Sequence, residues 1–73
     1  MDMKKLENIR KIGDIFRSTW LESIQGDKYK FMFVFDSMAG PVVLSARGHC
    51  KEEVLLDIDQ QAGKWIKDWF GEV

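Results

Sequence analysis

The most strongly patterned run of the chain is Lys28 to Asp36, Lys-Tyr-Lys-Phe-Met-Phe-Val-Phe-Asp. Tyr29, Phe31, Phe33 and Phe35 share one parity, so an extended backbone sends all four rings to one face, and that face must be buried. The other parity reads Lys28, Lys30, Met32, Val34 and Asp36, charged at both ends and apolar in the middle, a face neither plainly wet nor plainly core. Met38-Ala39-Gly40-Pro41 marks a reversal, and Val42 to Arg47 follows as a second strand whose Val42, Leu44 and Ala46 join the aromatic face. The pattern predicts a β-hairpin with Val43, Ser45 and Arg47 on its other side.

Upstream, Leu6, Ile9, Ile12, Phe16, Trp20 and Ile24 recur at three- and four-residue spacing, which predicts an amphipathic helix from Met3 to Gln25. Asp2 can cap its start and Gly26 can end it in the left-handed conformation. Lys4, Glu7, Lys11, Asp14, Ser18 and Glu22 make a mixed-charge outer face, while Ile15 and Leu21 flank the stripe and Gly13 weakens it.

Lys51 to Phe70 fits two patterns. As one helix, Val54, Leu55, Ile58, Ala62, Trp65, Ile66 and Trp69 line a continuous stripe, with Glu52 and Glu53 at the positive end of the dipole and Lys64 and Lys67 toward the negative end. As a strand at 53–58 followed by a helix from Gln60, Val54, Leu56 and Ile58 alternate inward and Asp59 becomes the cap. The long helix is the preferred reading, since two aspartates and adjacent leucines suit a helix better than a strand. The fold class is α+β, as helix, antiparallel hairpin, helix (α-β-β-α), or α-β-β-β-α with the extra strand. Double-stranded-RNA-binding domains share the second order, but not the motifs. Where those domains carry Gly-Pro-x-His and a Lys-Lys-x-Ala-Lys helix start, this chain has Gly40-Pro41-Val42-Val43 and Gln60-Gln61-Ala62-Gly63-Lys64.

With 73 residues, no repeat and no linker, residues 1–73 form one small domain, which buries a modest share of its surface and for which oligomerisation is a common remedy. An apolar fraction of 45% excludes a disordered tail, and a single cysteine, Cys50, excludes an internal disulfide. The start Met-Asp-Met-Lys-Lys-Leu leads into an amphipathic pattern and not into an apolar signal core, so the expected location is the cytoplasm. Net charge is −1, but residues 52–73 carry six acidic against two basic side chains, an asymmetry that can orient a partner or simply solvate a helix.

Catalytic and metal-binding chemistry find little support. His49 and Cys50 are two soft ligands where zinc takes three or four, and a nucleophilic cysteine needs a base and an oxyanion site that adjacency does not supply. Asp57 and Asp59 face one another only in the strand reading. No phosphate loop or nucleophile elbow is present, and the expectation is a protein without enzymatic activity, cofactor or metal. Lys28, Lys30, Arg47 and Lys51 converge at one end of the hairpin and offer a nucleic-acid alternative, against which stand an acidic pI of about 5.7 and the use of lysine as a strand gatekeeper.

What remains is the outward set Met32, Val34 and Val43 beside a bare strand edge reading Phe-Met-Phe-Val-Phe, a hazard that soluble proteins cover. The expectation is a homodimer made by strand-edge pairing and a small protein-interaction module, an adaptor, inhibitor or accessory subunit of the phage or mobile-element type. Its partner would meet Met32, Val34 and Val43, with Lys30 and Arg47 at the rim. Tyr29, Phe31, Phe33, Phe35, Phe16, Trp20, Trp65 and Trp69 are expected in the core.

Overall fold

A computed structural model describes residues 6–71. Helix α1 (Glu7–Ile15) leads into strands β1 (Ser18–Gln25), β2 (Lys28–Ser37) and β3 (Gly40–Gly48), and helix α2 (Lys51–Phe70) closes the chain. The strands form one antiparallel sheet in the order β1-β2-β3. The α+β class and the α-β-β-β-α order hold, but the third strand is 18–25 and not 53–58, which lies inside α2.

The predicted helix to Gln25 therefore ends ten residues early, and its start at Asp2 and Met3 lies outside the described residues. Phe16 is extended, and its N–H donates the last helical bond to the Ile12 carbonyl at 2.8 Å. From Ser18 the chain pairs with β2, Ser18 beside Phe35 through Gln25 beside Lys28. Gly26 does adopt a positive φ, 63°, but as the first residue of a two-residue hairpin loop with Asp27, not as a helix end. The second loop, Met38-Ala39, is tied by Ser37, whose hydroxyl donates to the Gly40 carbonyl and accepts from the Ala39 N–H.

Both helices lie on the aromatic side of the sheet. Phe31, Phe33, Phe35 and Leu44 are buried there against Val54, Leu55, Ile58 and Ala62 of α2 and against Leu6, Ile9 and Ile12 at α1. Ring contacts extend the core toward the ends of the helices, with Phe35 4.8 Å from Trp65 and 5.9 Å from Phe16. Phe16, Tyr29 and Trp65 are half-buried, whereas Trp20 and Trp69, expected in the core, are exposed. Trp69 sits in the last turn of α2 and is 55% exposed. Trp20 sits on β1, which neither helix covers.

α1 has no cap of its own, since Leu6 occupies the position before it. The cap comes from α2. Asp59, only 8% exposed, accepts the Ile9 N–H at Oδ1 (3.0 Å), and its Oδ2 and backbone carbonyl both accept from Asn8 Nδ2 (3.2 and 3.3 Å). A carboxylate at the start of a helix satisfies an orphan donor and opposes the positive end of the dipole. Gly63 makes the approach possible, because a Cβ there would stand 2.7 Å from Asn8 Nδ2. Asp59 thus caps a helix, as one sequence reading required, but the helix is α1.

Candidate functional site: the open face of the sheet

Among the described residues no helix lies on the second face of the sheet. Strand alternation and register assign its side chains: Thr19, Leu21, Ser23 and Gln25 from β1, Lys28, Lys30, Met32, Val34 and Asp36 from β2, and Val43, Ser45 and Arg47 from β3. Met32, Val34, Val43, Lys30 and Arg47, the five residues expected at a partner site, all lie on it. Met32 and Val34 are half-buried by their neighbours, and Val43 is 53% exposed.

The register turns these residues into two zones. In the middle, Val34 stands beside Val43 and Met32 beside Leu21, itself 50% exposed, so four apolar side chains are contiguous. Sequence reasoning missed Leu21 because it treated 18–25 as helix. At the end nearer the first hairpin loop, Lys30 lies directly opposite Arg47, with Ser23 on its other side. The Lys28–Gln25 pair closes the first hairpin, so odd-numbered β2 residues bond to β3 and Lys30–Arg47 is a non-hydrogen-bonded pair, the type whose side chains stand closest. Like charges directly opposite one another destabilise a sheet. Neither forms an ion pair with a described residue.

Lys28, Lys30, Arg47 and His49, with Ser23, Gln25, Tyr29 and Gly48, line an open concavity of about 710 Å³. The structure thus brings together Lys28, Lys30 and Arg47, while Lys51, exposed at the first turn of α2, does not line it. At its exposed rim, Asp27 Oδ2 lies 3.5 Å from His49 Nδ1. Cys50 is exposed and precedes α2 without a side-chain capping bond. Among the described residues no three His, Cys, Asp or Glu side chains cluster as metal ligands would.

A second apolar area lies in the helix layer, a groove of about 390 Å³ between the C-terminal ends of α1 and α2 lined by Ile12, Ile15, Phe16, Ile66 and Phe70. It shares no residue with the open face. Among the described residues no helix is long and apolar enough to cross a membrane. No protein-family model, curated protein or solved structure matches the chain.

Proposed function

We propose that the protein is a non-enzymatic interaction module of the cytoplasm, an adaptor, inhibitor or accessory subunit, whose open sheet face receives an apolar protein segment flanked by acidic side chains. One observation carries this reading: Leu21, Met32, Val34 and Val43 adjoin Lys28, Lys30 and Arg47 on one uncovered face, while Asp36, the carboxylate on that face, lies at its opposite end beyond Val34. The apolar zone supplies area to bury, at about 25 cal/mol per Å² before the costs of association. The opposed Lys30–Arg47 pair supplies charge selection, because an anionic partner relieves the repulsion between them and a cationic one adds to it.

The test is capture of a partner from the source cell followed by titration of the purified pair. Met32→Asp, Val43→Lys and the double reversal Lys30→Glu/Arg47→Glu each lower affinity at least tenfold while the circular dichroism spectrum is retained, and raised salt weakens binding by the wild-type chain. A partner bound equally by all three variants overturns the reading.

The basic concavity also supports binding of nucleic acid, with Lys28, Lys30 and Arg47 on phosphates. Two features weigh against it. Phe31, Phe33 and Phe35 face the helices, so the open face lacks a row of rings for base stacking, and α2 opens Lys51-Glu52-Glu53, an acidic start where double-stranded-RNA-binding domains are basic. Oligonucleotide binding that falls steeply with salt and is lost in Lys30→Glu/Arg47→Glu establishes this alternative.

A further inference from the structure

The two edges of the sheet are finished differently. The Asp36 N–H donates to the Arg17 carbonyl at 3.0 Å, which fixes the phase of the β1–β2 ladder. Odd-numbered β1 residues bond to β2, and Ser18, Trp20, Glu22 and Ile24 point their N–H and C=O groups away from the sheet. None of these outward groups has a partner among the described residues. The same phase carried across β2 turns Val43, Ser45 and Arg47 outward on β3. There α2 lies alongside, Gln61 Nε2 donates to the Ser45 carbonyl at 2.8 Å, and Pro41 brings no N–H to the edge.

Edge strands of soluble proteins are protected by cover, charge, proline or a bulge. β1, Ser-Thr-Trp-Leu-Glu-Ser-Ile-Gln, pairs with β2 without a bulge, has no proline and carries one charge. Large apolar side chains are wet on both of its sides: Trp20 (40% exposed) and Ile24 (50%) on the helix side, Leu21 on the other. The bare edge expected on residues 28–36 is not there, since β2 is central and paired on both sides.

We infer that β1 pairs antiparallel with β1 of a second copy, with Leu21 on the two-fold axis, to give a continuous six-stranded sheet. The register follows from the edge itself. With Leu21 on the axis, Ser18 meets Ile24 and Trp20 meets Glu22 of the other copy, so all four outward residues are bonded. Moving the axis to Glu22 opposes two like charges and pushes Ser18 past the end of the other strand, and moving it to Trp20 leaves Ile24 unpaired. The chosen register sets Leu21 against Leu21 as a non-hydrogen-bonded pair and continues the open-face row as Met32–Leu21–Leu21–Met32. Strand addition supplies main-chain bonds, while the new neighbour covers Trp20 and Ile24 on the helix side. Pairing stands on the edge alone and holds whatever docks on the open face.

Sedimentation equilibrium at high micromolar concentration gives a mass twice the chain's 8.5 kDa. Glu22→Pro removes the strand's charge and an outward N–H but no bond to β2, so it keeps the wild-type circular dichroism spectrum and sediments as a single copy. In a Cys50→Ser background, oxidation links Leu21→Cys into a covalent dimer and leaves Thr19→Cys unlinked, because Thr19 faces Ser23 of the second copy. The cross-linking pair decides the question even if Glu22→Pro fails to fold. A single-copy mass for the wild-type chain overturns the inference. So does a dimer that survives Glu22→Pro without a Leu21 cross-link, or one broken by Met32→Asp alone, which places the contact on the open faces.

Discussion

The β3 half of the sheet is finished and the β1 half is not. On β3, Leu44 is buried under α2, Val42 and Ala46 pack beside it, and Gln61 bonds to one outward carbonyl of the edge, that of Ser45. On β1, no residue is fully buried, and Trp20, Leu21 and Ile24 are among the exposed large apolar side chains. The two strands have similar length and flank the same central strand, so the difference comes from the helix layer. α2 lies over β2 and β3, and α1, nine residues long and held to α2 by Asp59, does not cover β1. A domain of this size completes one core, and the strand outside it is free to serve an assembly.

The largest test of that contrast compares two rings in mutual contact. Phe33 and Trp20 stand 4.8 Å apart, one inside the core and one on the uncovered strand. Phe33→Ala costs about 3–5 kcal/mol in urea unfolding, the range for a deleted core aromatic, whereas Trp20→Ala in the monomeric Glu22→Pro background costs about 1 kcal/mol. Equal costs would mean that β1 belongs to the core after all.

A second test concerns what holds α1. Asp59→Ala leaves the Ile9 N–H without its acceptor and costs about 2 kcal/mol, and Asp59→Asn, which keeps an acceptor, costs less. Gly63→Ala destabilises by about 1 kcal/mol although alanine is the better helix former, because the new methyl displaces the Asn8 amide. A stabilising Gly63→Ala would show that the Asn8 contact contributes nothing.

The smallest effect is at the closed edge. Gln61→Ala removes two exposed hydrogen bonds, to the Ser45 carbonyl and to Asp57 Oδ1, and costs about 0.5–1 kcal/mol by thermal melting. It also uncovers the Ser45 carbonyl, so chains carrying it together with Glu22→Pro self-associate more than chains with Glu22→Pro alone, as read by light scattering.

The sequence revealed most where one periodicity had no rival. The alternation from Lys28 to Asp36 and the turn before Val42 led to β2 and β3, and parity alone placed Met32, Val34, Val43, Lys30 and Arg47 on one face; for α2 the stripe from Val54 to Ile66 competed with a strand at 53–58, and the adjacent leucines and aspartates favoured the helix. It misled where two periodicities coincide. Ile12, Phe16, Trp20 and Ile24 are four apart, and four is both about one helical turn and twice the strand repeat, so the spacing suits either structure. The discriminating signals were local: Gly26-Asp27 is a two-residue hairpin loop, and the run ahead of it alternates Trp20, Glu22 and Ile24 against Leu21, Ser23 and Gln25. Reading Gly26 as a helix end concealed β1, and with it Leu21 and the position of the bare edge. The partner of Asp59 was invisible for another reason, since it lies fifty residues away and no local pattern reports a contact of that range.

That distance also orders events in time. α1 is too short to persist by itself in water, and the group that completes its first turn belongs to α2, fifty residues later. A ribosome therefore releases the residues of α1 first, yet they are fixed only when α2 has emerged and docked. Until then the apolar residues of α1 stay unsheltered, and the earlier helix waits for the later one.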